Sequence, residues 1–200
     1  MSEFWNVRFS EPGYTYGTEP NAFLVSQKNY LKPGMKALAV ADGEGRNGVW
    51  LAQQGLEVLS VDGSEVGLRK TRELAMSRGV AIRTELAELT EWEWPRNEFD
   101  MVVAIFIHFP TEYRARMHEN MLGALKPGGL LILEAFTPEQ LEYKTGGPPI
   151  VEMLYTADML RNDFKAGEIL SLQEALTDLQ EGPGHRGPAA VVRLVLRKHP

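Results

Sequence analysis

The residues with the clearest chemical potential are Gly43-Glu44-Gly45-Arg46-Asn47-Gly48, a G-x-G-x-x-G run between an apolar strand pattern and a helical pattern. A nucleotide approaches the backbone where a strand ends and a helix starts, and a side chain there would block it. Asp62 ends the next apolar run, about 20 residues further on, where an acid accepts hydrogen bonds from ribose hydroxyls. Two ligand classes fit this spacing. A dinucleotide would lay its pyrophosphate on the helix N-terminus, and here Asp42 and Glu44 flank that spot with negative charge, offset in part by Arg46. S-adenosylmethionine instead carries a sulfonium and an ammonium, and no phosphate. The charge pattern favours S-adenosylmethionine. The bland alternative is a tight turn with a structural role only.

Other side chains capable of chemistry lie further along. His108 follows the fourth strand pattern, at the edge where open α/β sheets bind ligands. It can act as a general base near neutral pH, or merely hydrogen-bond a loop carbonyl. His185 sits in Glu181-Gly182-Pro183-Gly184-His185-Arg186-Gly187, a loop expected to be solvated unless it reaches a substrate pocket. Tyr143 and Tyr155 fall in an irregular region that either forms an acceptor pocket or packs internally. Phe4, Trp5 and Phe9 form a lid or an apolar plug. Arg114, Arg116 and His118 are assigned to a solvated helix face. Glu134 either orients a substrate or is a capped structural carboxylate. No His/Asp/Glu cluster has metal-ligand spacing, so no metal is expected.

These residues need a scaffold, and the pattern supplies one. Short apolar runs at Lys36–Ala41, Glu57–Val61, Ala81–Glu85, Asp100–Ile107 and Leu130–Phe136 alternate with helical stretches, the signature of a parallel sheet with crossover helices. The helices are expected at Glu19–Leu31, Gly45–Gln54, Ser64–Ser77, Thr111–Leu125 and Thr156–Asp163, with Ser64 and Thr111 as caps. Asp100–Ile107 is the most apolar strand and is expected at the sheet centre. Ile169–Leu176 and Ala189–Arg197, separated by a Gly/Pro loop, read as an antiparallel pair. The fold class is therefore α/β: a Rossmann-like, doubly wound sheet, mostly parallel with an antiparallel C-terminal strand. A single domain spans residues 1–200, with 1–18 as a lead-in or lid and 137–165 as a substrate-pocket insertion.

Bulk properties narrow the function. With 200 residues, 44% hydrophobic and 24% charged, the chain suits one globular α/β domain. A net charge of −6 disfavours general binding to nucleic acid. The absence of cysteine removes disulfides, thiolate nucleophiles and Cys-based zinc sites. The N-terminus lacks a basic and an apolar signal region, and no apolar run is long enough to span a bilayer, so the cytoplasm is expected, with no membrane partner.

The assembled landmarks resemble the class I methyltransferases, in particular the bacterial branch around the tellurite-resistance and thiol methyltransferases. They are Trp5…Tyr14-Thr15-Tyr16-Gly17…Pro20-Asn21, Gly43-Glu44-Gly45-Arg46-Asn47, Val61-Asp62-Gly63-Ser64, Phe99-Asp100, His108-Phe109-Pro110, Leu125-Lys126-Pro127-Gly128-Gly129 and Leu141-Glu142-Tyr143…Gly146-Gly147-Pro148-Pro149. The resemblance covers nearly the whole chain. It implies that S-adenosylmethionine is the cofactor and a small molecule the methyl acceptor. Ala41, Gly43 and Gly45 would face the methionine part of the cofactor. Asp62 would hold the ribose, with Gly63 and Ser64 beside the adenine. Glu88 would face the adenine amino group and the Leu89 amide the ring. Ile105 would offer its carbonyl to the ammonium, and Tyr16 and Gly17 would close over the cofactor. Trp5, Tyr143 and His185 are the substrate candidates. The sequence departs from the class where an acid is common, two residues before the first loop glycine: those positions read Ala39 and Ala41.

Methyl transfer from a sulfonium is an in-line displacement that chiefly needs alignment and exclusion of water. The branch resemblance points to a thiol or other soft nucleophile, which needs only to lose its proton. An oxygen or nitrogen acceptor would depend more on His108 as base. A non-catalytic S-adenosylmethionine-binding module is the third reading, and an NAD-dependent oxidoreductase is disfavoured by the loop charge.

Overall fold

The computed structural model describes Ser2–Pro200. Two compact units make up the described chain: residues up to Trp92 with Glu181–Gly184, and Glu93–Gln180 with His185–Pro200.

The first unit opens with helix α1 (Ser2–Phe9), within the lead-in segment. Glu3 in its first turn and Arg8 in its last both complement the helix dipole. The helix expected over Glu19–Leu31 is only α2 (Ala22–Ser26) followed by a 3-10 turn at Lys28–Tyr30. Asn21 caps it late, its side-chain oxygen accepting from the Leu24 amide at 2.9 Å. The Ser26 hydroxyl donates back to the Phe23 carbonyl at 2.6 Å, a local bond that competes with helical propagation.

Strand β1 (Lys36–Val40) is buried after its first residue, as is β2 (Glu57–Asp62). Runs apolar on both faces suit a parallel sheet covered on both sides. They pair in parallel from Lys36↔Glu57 to Val40↔Val61. Between them runs α3 (Arg46–Gln53), and after β2 comes α4 (Glu65–Ser77). Ser64 caps α4 as expected, its hydroxyl oxygen accepting from the Gly67 amide at 3.0 Å. Strand β3 (Arg83–Leu86) pairs in parallel with β2, starting two residues later than the apolar run at Ala81.

The second unit contains β4 (Phe99–Ile105), α5 (Thr111–Ala124) and β5 (Leu125–Phe136). Thr111 does not cap α5: its N-cap is Pro110, and the Thr111 hydroxyl instead donates to the Glu152 carbonyl at 3.2 Å. The Lys126–Gly129 turn is a bulge inside β5. Register runs from Phe99↔Leu125 to Met101↔Leu130, so the partner strand advances by two residues while β5 advances by five.

Past β5 the chain forms α6 (Gln140–Tyr143), a 3-10 turn at Val151–Met153 and α7 (Ala157–Asp163), capped by Thr156. Strands β6 (Gly167–Glu181) and β7 (His185–Lys198) extend well past the apolar runs that predicted them. β7 pairs antiparallel with β5, and the seven-stranded order is β3-β2-β1-β4-β5-β7-β6. The most apolar strand, β4, stands at the middle of that order, as its composition predicts.

Candidate functional site

The glycine loop is shaped by its backbone. Ala41, Gly43 and Gly45 follow β1 with φ of 50°, 59° and 86°. Gly45 has no alternative: a side chain there would meet Thr71 within 2.5–2.7 Å as well as the left-handed backbone. Ala41 holds a left-handed conformation despite its methyl group, at some cost in strain.

Asp62 does organise this loop. Its carboxylate accepts from the amides of Gly43 and Ser64, both at 2.8 Å. Burial raises its pKa, opposed by those backbone donors and reinforced by the charge of Glu88. Glu88 itself is exposed and Leu89 is buried. The amide of Ala87 donates to the Asp62 carbonyl at 3.0 Å, which ties the Glu88 segment to the end of β2.

The acidic side chains of the loop are engaged by the protein itself, which corrects the reading of Asp42 and Glu44 as charge offered to a ligand. Glu44 is buried against Lys70 at 2.8 Å and accepts from the Thr15 amide at 2.7 Å. Lys70 spends its remaining protons on the carbonyls of Glu11 and Gly13. Asp42 accepts from the Ser60 hydroxyl at 2.8 Å and from the Gly48 amide in the first turn of α3. Burial pushes its carboxyl up to about 7 against those hydrogen bonds.

Arg46 and Asn47 are also clips. Arg46 pairs with Glu181 at 2.6 Å, both side chains 8% exposed, and Glu181 also accepts from Asn21. The Asn47 side chain accepts from the Asn21 amide at 2.9 Å. The segment from Thr15 to Asn21 is thus fastened to the glycine loop on one side and to the β6–β7 turn on the other. The Gly184 amide donates to the Thr15 carbonyl at 2.8 Å, and Gly17 lies against the Gly182 backbone. None of this was readable from spacing, since Glu181 is 135 residues from Arg46.

Phe9 plugs the loop: it is 3% exposed, and its ring lies 3.1 Å from where a side chain on Gly43 would sit. Trp5 stacks on it at 5.4 Å, while Phe4 is 62% exposed. Tyr16 is edge-on to Phe9 and lies under the Arg8 guanidinium. Asn6 on α1 reaches the start of α4, its side-chain oxygen accepting from the Ser64 hydroxyl at 2.7 Å. The first unit therefore gathers Tyr16, Gly17, Ala41, Gly43, Gly45, Asp62, Gly63, Ser64 and the Glu88-Leu89 turn.

In the second unit, Ile105 ends β4 and Phe106 turns away from it with φ of 56°. His108 is locked. Its Nδ1 lies 2.8 Å from the Met153 carbonyl oxygen, to which it donates, and its Nε2 accepts from the Phe136 amide at 3.1 Å. Burial, together with the neighbouring imidazoles and against the Met153 bond, lowers its pKa to about 4. Both ring nitrogens serve the backbone, which holds the imidazole in its neutral form.

His185 is buried at 5%, not solvated as its Gly/Pro-rich loop suggests. It stands edge-on to Phe106 and Phe136 at 4.8 and 5.3 Å. His118 is likewise fully buried, contrary to the solvated face assigned to it, and pairs with Asp163, which also takes Arg114. The stripe Met117, Met121, Leu122 on α5 is the signal that could have placed it. Glu134 is a structural carboxylate, bonded to Arg193 directly across the β5–β7 pair. Tyr155 is buried and accepts from the Phe109 amide at 2.9 Å. Tyr143 is partly exposed and bonded to Glu139.

A glycine loop after β1, an acid ending β2 and parallel strands closed by an antiparallel C-terminal pair make up a Rossmann-like sheet. Residues 37–129 match a family model described as a methyltransferase domain. That match covers a little under half of the chain, which over residues 37–129 is similar to a methyltransferase domain.

Among curated relatives, it is 27% identical over 130 residues to the ubiquinone/menaquinone biosynthesis C-methyltransferase UbiE of Ectopseudomonas mendocina, covering 62% of this chain and 48% of that protein. It is 26% identical over 123 residues to phosphoethanolamine N-methyltransferase 1 of Arabidopsis thaliana, covering 61% of this chain and 25% of that protein, so the chain spans less than half the length of either relative. Two solved structures share the fold. One, from work on conversion of a disulfide bond into a thioacetal group in echinomycin biosynthesis, superposes with a TM-score of 0.81 at 19% identity, covering 100% of this chain and 92% of that one. TehB from Haemophilus influenzae superposes with a TM-score of 0.72 at 19% identity, covering 98% and 66%. Among the described residues, no helix is long and apolar enough to cross a membrane.

Proposed function

We propose that this protein transfers the methyl group of S-adenosylmethionine to a small-molecule acceptor, a thiol or another soft nucleophile, and that it does so without a general base. The state of His108 carries the second half of this reading. With Nδ1 donating to Met153 and Nε2 accepting from Phe136, it has no lone pair to offer an incoming proton. A thiol needs no such help, since its own ionisation makes it reactive.

The cofactor is assigned to the first unit. Ala41, Gly43 and Gly45 take the methionine part, and Asp62 takes the ribose through the lone pairs its backbone donors leave. Gly63, Ser64, Glu88 and Leu89 serve the adenine, with Tyr16 and Gly17 closing over it. Of the acceptor candidates Trp5, Tyr143 and His185, the last is favoured, because it belongs to an aromatic cluster at the end of β4.

The test begins with calorimetric titration of S-adenosylmethionine and S-adenosylhomocysteine, with NAD as control. Binding in the micromolar range is expected, at least tenfold weaker in Asp62→Asn and Asp62→Ala. A screen of hydrosulfide and small thiols then follows. The pH profile of kcat/KM should track the ionisation of each thiol and be unmoved in shape by His108→Asn. Binding of neither adenosyl compound sinks the cofactor assignment. A profile whose inflection disappears with His108→Asn would favour an oxygen or nitrogen acceptor instead.

A further inference from the structure

We propose that Phe106 is the residue that selects the methyl acceptor, and that it selects an uncharged molecule with an apolar or aromatic body beside its nucleophile. The inference rests on the methyltransferase reading above and deepens it.

Phe106 directly follows β4 in the left-handed region, φ 56°. A bulky residue there carries strain of roughly 1–3 kcal/mol and persists only where its surroundings hold it. The surroundings are specific. The Phe106 amide donates to the Glu134 carbonyl at 2.7 Å. Its ring stacks on Phe136 with centroids 4.4 Å apart and planes 20° apart. The edge of His185 closes a second side at 4.8 Å.

Of these three rings, only Phe106 keeps a share of its surface in the open. Phe136 is 1% exposed and His185 5%, whereas Phe106 is only partly buried against the cluster of Phe136, Leu154, Leu179, Ala189 and Val191. A ring recruited for packing alone would gain most by full burial from an unstrained backbone. Here a strained backbone holds the ring half-open at the carboxyl end of a parallel strand, where α/β sheets take their ligands.

The chemistry around the ring sets the acceptor class. The neighbouring carboxylate, Glu134, is bonded to Arg193. His108, stacked on Phe136 at 5.8 Å, is held neutral by its two backbone bonds. The strap at Gly146 and Gly147 lies so close that a side chain on Gly147 would come within 2.8 Å of the Phe136 ring. Gln140 pins that strap through Thr145 and the Gly146 carbonyl. What Phe106 offers an acceptor is therefore a π-face and apolar surface, not a countercharge.

The experiment uses the full chain saturated with S-adenosylhomocysteine and reads acceptor binding by NMR, independently of turnover. The probes are benzyl mercaptan, its oxygen analogue benzyl alcohol, and the anionic 2-mercaptoethanesulfonate. The parent should bind both benzyl compounds at least tenfold more tightly than the sulfonate. Phe106→Leu and Phe106→Gly should lose about tenfold for the benzyl compounds while binding S-adenosylhomocysteine as the parent does. The glycine variant frees the backbone of strain, so the same loss in both assigns the effect to the ring. If thiols turn over, KM for benzyl mercaptan should rise by a similar factor with kcat within about threefold, and hydrosulfide should be unaffected. Unchanged binding in both variants, or a parent that prefers the sulfonate or binds no benzyl probe, overturns the proposal. Failure of the parent to bind S-adenosylhomocysteine overturns the methyltransferase reading and this proposal with it.

Discussion

Ala41 shows how a single residue departs from its context. It occupies a left-handed turn between β1 and the glycine loop, where a methyl group is strained. Ala41→Gly should relieve that strain at a smaller entropic cost, a net gain of about 1 kcal/mol. For a chain of this size that is about 2–4 °C in Tm, measurable by calorimetry. The glycine run was legible as a turn because its constraint is local, a backbone that needs positive φ, whereas the bonds of Asp62 to the Gly43 and Ser64 amides were not expected. The charges of Glu44 and Arg46 were misread, and Asn47 was passed over, because their partners lie on other segments. Charge beside a loop says nothing about which way a side chain points, and here three of the motif's letters point inward. The burial of His185 was hidden for a related reason, since it is set by the rings of other segments and not by the composition of its own loop.

At the scale of elements, strands and helices followed hydrophobic periodicity closely, and the errors sit where side chains override it. The Ser26 back-bond shortened α2, Pro110 capped α5, and the β5 bulge absorbed a turn. The turn between β6 and β7 carries a buried ion pair. Its Glu181 is buried against Arg46 and bonded to Asn21. Glu181→Ala leaves the Arg46 charge buried alone and should cost about 3–5 kcal/mol. At 2–4 °C per kcal/mol, Tm should fall by roughly 6–20 °C. Replacing both residues by Met and Leu should recover most of that loss, because the desolvation cost of the pair disappears with it. A double variant no more stable than the single would show the pair to be worth more than its burial.

For the whole molecule, two buried groups give opposite responses to acid. Asp42 has its pKa raised to about 7, chiefly by burial, so the folded state holds a proton there that the unfolded state releases. Between about pH 4 and 7 this makes stability fall as pH rises. His108 has its pKa lowered to about 4, again chiefly by burial, so the folded state lacks a proton that the unfolded state binds. From about pH 4 to 6.5 this makes stability rise with pH. Asp62, raised, and His118, lowered, act in the same opposed senses. The net dependence of Tm on pH across this window should therefore be shallow. Asp42→Asn should unmask the histidine arm, so that Tm drops more steeply from pH 7 to 5 than in the parent. An unchanged slope would mean that Asp42 ionises in the folded state near its ordinary value.

The clips of the glycine loop also bear on inheritance. Glu44 answers to Lys70 and Thr15, Arg46 to Glu181, and Asn47 to Asn21. A lineage cannot drift at one of these letters without a matching change at a distant one, so substitutions at 46 and 181 should co-vary across descendants. The same holds for 44 with 70. The loop then cannot be transplanted as a cassette into another scaffold: it would arrive with three polar side chains whose partners stayed behind. A graft would need the Tyr14–Asn21 segment and the Glu181–Gly184 turn to travel with it.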